Sequence, residues 1–209
     1  MRVLPLAAAL LLAACAEMTR PPPPEPPVEL AGGLVAQPLL SVLNHAVSDF
    51  DRAGAGLEGH PEHTALAIAR LEWLGGETRP GHRLENIPDS FLFGLRRGVQ
   101  EGRQALAIAP DASPDTTVPA LLAASRALTN GDVPAASRAL TGPDFRDTDR
   151  PAMSRLREPG PFPDTALTLP ALRDEVVRRQ SDGRINQRVS SEFMDSGVTT
   201  SGMGGRTDR

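Results

Sequence analysis

Apolar side chains recur every three or four residues along most of the chain, the spacing that places them on one face of an α-helix. Between residues 34 and 51, for example, Leu39, Leu43 and Val47 repeat at this interval. Proline and glycine divide the pattern into separate segments, and no useful length of strand-like alternation interrupts it. The predicted helices cover residues 34–51, 61–74, 88–109, 118–128, 132–140 and 170–180.

The predicted fold is all-α, a small helical bundle or an array of helical hairpins over residues 34–140. Segments of different composition flank it. Six prolines within seven residues favour an extended polyproline II tether over residues 15–33. Residues 141–181 are rich in proline and predict a peripheral segment with one helix. Residues 182–209 are rich in Ser, Thr, Gly and Arg, and we expect this tail, like the tether, to be disordered.

The predicted hairpin at residues 120–140 resembles a single tetratricopeptide repeat. Ala124 and Ala136 fall at the small-residue positions of that family, and Gly131 falls at its turn. The family's aromatic positions hold alanine here, and no convincing second copy follows, although the repeat signature requires several. The resemblance therefore implies a helical hairpin and no more.

Composition narrows the classes of function. The chain has 209 residues, with 22 basic residues, all arginine, against 26 acidic residues, for a net charge of −4. This balance argues against non-specific nucleic-acid binding, which needs a basic excess. The single cysteine excludes an intramolecular disulfide and a cysteine-based metal cage. No nucleophile elbow, P-loop or dinucleotide fingerprint occurs, so the sequence favours a non-catalytic protein.

The single cysteine follows an apolar N-terminal segment. Arg2 supplies a positive start, and residues 3–12 form an apolar run that is too short to span a bilayer as a permanent helix. Residues 12–15 read Leu-Ala-Ala-Cys, which resembles the lipobox of bacterial lipoproteins: an aliphatic residue, two small residues and a cysteine. The resemblance implies that residues 1–14 are a signal peptide, cut off just before Cys15.

The same resemblance implies that the Cys15 thiol carries diacylglycerol, whose fatty acyl chains, such as palmitate, hold the protein at a membrane. It implies no other cofactor. An Asp directly after the cysteine tends to retain members of this family at the inner membrane, whereas Ala16 and Glu17 follow here. The expected location is therefore the outer membrane, facing the periplasm, in a cell with two membranes.

All four histidines lie between residues 45 and 82, and His60, Glu62 and His63 are the tightest group. Two histidines three residues apart can bind Zn²⁺ when further ligands converge. The alternative is an exposed, polar helix start in which Glu62 complements the helix dipole. The HExxH pattern of metalloproteases is absent. Further ligands could come from His45, Asp49 and His82.

Gly94, Gly98 and Gly102 occur every four residues in one predicted helix. Each glycine costs about 1 kcal/mol relative to alanine in a helix interior, so three of them on one face (the glycine stripe) indicate a specific packing requirement. Such spacing lets a second helix approach closely. That helix could belong to the same domain or to a binding partner, and charged neighbours exclude a membrane-spanning role.

The function expected from these observations is that of a lipid-anchored helical protein of the cell envelope. It would act as a binding or scaffold module for an envelope partner. Two alternatives stay open: a metal-assisted hydrolase that uses His60, Glu62 and His63, and a carrier of a small apolar ligand. The carrier would need a dry, open cavity between its helices.

Overall fold

A computed structural model describes residues 23–146 and 148–182. Within these residues the chain forms seven α-helices, one 3₁₀ helix (Asp51–Leu57) and no β-strand. The predicted all-α fold is therefore confirmed. The α-helices are α1 (Pro38–Asp49), α2 (Pro61–Gly76), α3 (Asp89–Leu106), α4 (Pro114–Thr129), α5 (Val133–Ala139), α6 (Ala152–Arg157) and α7 (Pro163–Ser181).

The centre of the fold is α2, a helix buried on nearly every side. Pro61 occupies its first turn, where the missing amide hydrogen of proline costs nothing. Ile68, Leu71 and Leu74 are fully or almost fully buried, and the helix contacts α1, α3, α4 and α6. Its most extensive contact is with α4. The other helices are thus arranged around α2.

The predicted hairpin is formed by α4 and α5. Gly131 lies in the turn with a φ of +76°, in the left-handed region that glycine adopts without steric cost. Asp132 caps α5, because its side chain accepts a hydrogen bond of 2.9 Å from the amide of Ala135.

The last helix begins earlier than the sequence pattern predicts. The pattern predicts a start at Pro170, yet α7 begins at Pro163 and Pro170 lies in its interior. Phe162, directly before α7, is buried, and its ring meets the ring of Phe50 edge-on at 5.0 Å. A short helix, α6, also lies in residues 141–181, for which the sequence predicts only one helix. Both α6 and α7 thus pack against the other helices of the domain and are not peripheral to it.

Part of the predicted tether also belongs to the domain. Leu30 and Ala31 are buried in the core, and α1 begins only at Pro38. Gly32 has a φ of +73°, in the left-handed region that glycine adopts without steric cost, and a Cβ on it would meet Nε2 of the exposed His45. Residues 15–22 and 183–209, for which we expect disorder, lie outside the described residues.

Candidate functional site

The predicted metal-binding residues do not converge. His60 and Glu62 lie at the exposed start of α2, with 3.9 Å between Nδ1 and Oε1. His63 instead places Nε2 at 2.8 Å from Oδ1 of Asp49. Among residues 23–146 and 148–182, no group of three or more His, Cys, Asp or Glu side chains could hold a metal ion. The geometry therefore does not support a metal centre at His60, Glu62 and His63.

The remaining candidate ligands lie elsewhere. His45 is on α1, against Gly32. Nδ1 of His82 lies 3.3 Å from the carbonyl oxygen of Pro80, in the loop between α2 and α3. Neither histidine joins His60.

Asp49 belongs to a buried network that joins α1, α2 and the N-terminal segment. Arg70 donates a hydrogen bond of 2.6 Å to Oδ2 of Asp49 and another of 2.9 Å to the carbonyl oxygen of Leu30. Oδ1 of the same carboxylate faces His63. Nδ1 of His63 has no hydrogen-bond partner in the described part of the chain. The network fits a structural role.

The glycine stripe is filled by helices of the same domain. A Cβ on Gly94 would lie 2.7 Å from Oγ1 of Thr168, and one on Gly98 would lie 2.9 Å from Oγ1 of Thr165. Both threonines belong to α7, which crosses α3 here. A Cβ on Gly102 would instead meet Leu71 and Ile68 of α2 at 3.1 and 3.2 Å. The structure supports packing within the domain, and the stripe offers no free surface to a partner.

A groove lies between α2, α3 and the start of α4. Its volume is about 340 Å³. Its floor holds a buried ion pair, in which Nε and Nη2 of Arg103 each donate a hydrogen bond of 2.7 Å to one oxygen of Glu72. The same arginine donates to the carbonyl oxygens of Pro110 and Ala112. The hydrogen bonds with Glu72 raise the pKa of Arg103.

The rim of the groove carries two further arginines. Arg79 donates hydrogen bonds of 2.8 and 2.9 Å to the carboxylate of Asp115, which lower the pKa of Asp115 below its usual range. Arg96 is exposed and forms no ion pair with any residue that the structure describes. Because the other two arginines of the groove are paired, Arg96 leaves it with one uncompensated positive charge. Val99 and Pro114 are the apolar side chains among the residues that line the groove.

The groove bears on the predicted ligand carrier. Its lining is mostly apolar, but it includes the side chains of three arginines. Burying an unpaired polar group next to a purely apolar molecule costs free energy. The groove is therefore better suited to a group that combines an apolar part with an anion than to a purely apolar ligand.

The Pro-rich segment is fixed by an arginine in the loop between α2 and α3. Arg83 donates hydrogen bonds of 3.1 and 2.9 Å to the carbonyl oxygens of Pro23 and Pro24. It also pairs with Glu25 and with the buried Glu77, each at 3.1 Å. Sequence reasoning missed this contact, because every basic residue of the chain is arginine and residue type marks none of them.

Comparison of the chain with family models, with curated proteins and with solved structures finds no match in any of the three. Of the helices in residues 23–146 and 148–182, none has the length and apolar character needed to cross a membrane. The features of the chain that bear on its function are therefore the lipobox-like motif, the groove and the fixed N-terminal segment.

Proposed function

We propose that this chain is a lipid-anchored protein of the cell envelope whose helical domain binds an envelope partner through the groove between α2, α3 and α4. The anchor rests on the lipobox-like residues 12–15 and on the apolar run before them. The binding role rests on one observation, the unpaired guanidinium of Arg96 at the rim of a mostly apolar groove. A metal-assisted hydrolase has no comparable support in the geometry.

The chemistry of the groove indicates what the partner offers. A guanidinium binds a carboxylate through two parallel hydrogen bonds, which gives both affinity and orientation. Val99 and Pro114 supply an apolar wall within the same groove. The partner that fits is a protein segment in which a carboxylate lies next to an apolar side chain.

The fixed N-terminal segment limits how far the domain can lie from a lipid on Cys15. Arg83 holds the backbone at Pro23, so only seven residues lie between this fixed point and Cys15. The eight residue steps from Cys15 to Pro23 span at most about 29 Å when the chain is fully extended. A lipid on Cys15 would thus keep the domain close to the membrane, where an envelope partner can meet the groove.

The binding role is tested by cross-linking in intact cells with a charge reversal, Arg96→Glu. We expect capture of the partner to fall about tenfold, because a hydrogen bond to a charged group contributes about 1.5 kcal/mol. Arg138→Glu is the matched control, since Arg138 is exposed on α5 and has no ion pair among the described residues. Equal loss of cross-linking in both variants would contradict a role for the groove.

The anchor is tested on the same purified protein. Mass spectrometry of the N-terminal peptide should show a lipid-modified Cys15 as the first residue. An unmodified Cys15, or a different first residue, would contradict the anchor and would leave the binding result to be judged by itself.

A further inference from the structure

The N-terminal loop (residues 28–35) has a buried side and an exposed apolar side. Leu30 and Ala31 point into the core and are at most 3% exposed. Single exposed aliphatic residues are common on protein surfaces, but a cluster within eight residues is not explained by that. The exposed apolar residues of the loop are Val28 at 48%, Leu34 at 92% and Val35 at 42%.

The loop is held in one conformation by hydrogen bonds. The amide of Gly33 donates a hydrogen bond of 2.8 Å to the carbonyl oxygen of Val28, which closes the loop and brings the backbone at Val28 next to Leu34. Arg70 fixes the inner side, because its Nε donates to the carbonyl oxygen of Leu30. The exposed aliphatic residues are therefore presented by a fixed backbone.

The two acidic residues of this part of the chain are both paired with arginines. The loop's one acidic residue, Glu29, lies 3.4 Å from Arg126 of α4, and Glu25, just before the loop, pairs with Arg83. A surface that is apolar and locally neutral is not repelled by anionic lipid headgroups. It can enter the boundary between headgroups and acyl chains, as the apolar faces of interfacial helices do.

The loop lies close to the proposed anchor along the chain. Arg83 fixes the chain at Pro23, and the loop begins five residues later. Since the eight residue steps from Cys15 to Pro23 span at most about 29 Å, a lipid on Cys15 keeps the loop near the bilayer. Three aliphatic side chains are too few to hold a protein at a membrane, but stable binding commonly combines a lipid chain with a second, weaker contact.

We infer that the N-terminal loop is a second membrane contact, in which Val28, Leu34 and Val35 enter the lipid surface and orient the domain on the bilayer. This inference rests on the proposed lipid anchor at Cys15. The loop packs on α1, α2 and α4, so these elements stand above the membrane with the loop beneath them.

The test uses the chain from residue 15 to residue 209, coupled through its only cysteine thiol to a maleimide lipid in phosphatidylcholine vesicles. This artificial anchor makes the result independent of whether cells lipidate Cys15, which mass spectrometry decides separately. The native tryptophan is removed by Trp73→Phe. Leu34→Trp then reports the loop, and Leu167→Trp is the matched control, an exposed leucine on α7 that is 79% exposed.

We expect brominated lipid to remove about half of the emission of the Leu34→Trp chain, because interfacial side chains lie about 5–10 Å into the headgroup and acyl boundary. The emission of the Leu167→Trp chain should stay unchanged. Both leucines are exposed, so circular dichroism should show the same helix content in both variants. Equal quenching of both, or quenching of neither, would overturn the inference. A blue-shifted but unquenched Leu34→Trp chain would also overturn it and would point to a second copy of the chain on the loop.

Discussion

Two arginine side chains of this protein lie in its interior as members of ion pairs. Arg70 and Arg103 are both buried, and each is paired with a carboxylate and with backbone carbonyl oxygens. No buried side-chain nitrogen or oxygen in the described ranges lacks a hydrogen-bond partner. Removing one partner of a buried pair leaves the other charge uncompensated, which costs far more than replacing both by apolar residues.

We therefore expect Arg103→Gln to lower the free energy of unfolding by about 3–5 kcal/mol, because it leaves Glu72 charged in the core. Urea denaturation measures this loss. Replacing both residues, Arg103→Met with Glu72→Leu, should recover most of it.

Arg79→Gln is the control for this prediction. The pair that Arg79 forms with Asp115 is exposed, so its loss should cost at most about 1 kcal/mol. If Arg103→Gln lowered the free energy of unfolding no more than Arg79→Gln does, the buried pair would not stabilise the fold as proposed.

The sequence could not predict these pairs. Arg103 and Glu72 are 31 residues apart and lie on different helices, and nothing in the local pattern singles out one partner among 26 acidic residues. The sequence names Asp49 only as a possible metal ligand beside His63. In the structure the Asp49 carboxylate faces His63 and also accepts a hydrogen bond from Arg70. Pairing of this kind depends on how the helices cross, which local spacing does not specify.

At the scale of elements, local signals succeeded where proline and glycine mark helix ends. The helix predicted to start at Pro61 starts there, and the turn at Gly131 is observed. The same pattern gave a wrong start for α7 at Pro170, because proline is common in the first turn of a helix and a proline in a helix interior cannot be told from it by sequence. The spacing of Gly94 and its two successors indicated a close helix approach, but it could not say that α7 makes it.

We expect Gly98→Leu to destabilise the domain by about 1–3 kcal/mol, the range for overpacking. Its Cβ would lie 3.3 Å from the backbone Cα of Thr165, and the longer side chain has no room unless α7 moves. Thermal denaturation followed by circular dichroism measures the effect.

Gly56→Leu provides the comparison, since a Cβ there would meet nothing within 4 Å. A Gly98→Leu protein with a melting temperature equal to that of Gly56→Leu would show that α7 does not lie against α3 as described.

At the scale of the whole molecule, the core is closed by segments that the sequence placed outside it. Leu30 comes from the predicted tether, while Phe162, Leu169 and Leu172 come from the predicted peripheral segment. Their apolar pattern is weak because each segment contributes only a few side chains between prolines. Burial of such isolated residues follows from the rest of the fold and is not visible in local periodicity.

A chain that covers residues 23–140 should therefore fail to fold cooperatively, whereas one that covers residues 23–182 should fold cooperatively. The shorter chain lacks the Phe162 ring that packs on Phe50, and it leaves the α7-facing side of α3 uncovered. Thermal melts of both chains decide this. A sharp melt of the shorter chain would mean that α7 is dispensable.

The loop between α2 and α3 forms hydrogen bonds with residues at the beginning and near the end of the described chain. Arg83 holds Pro23 and Pro24, and three residues later the carbonyl oxygen of Asn86 accepts a hydrogen bond of 2.7 Å from Arg179, near the end of α7. The beginning and the end of the domain are thus neighbours, an arrangement that usually tolerates circular permutation. It also means that one proteolytic nick in this loop would loosen both ends together.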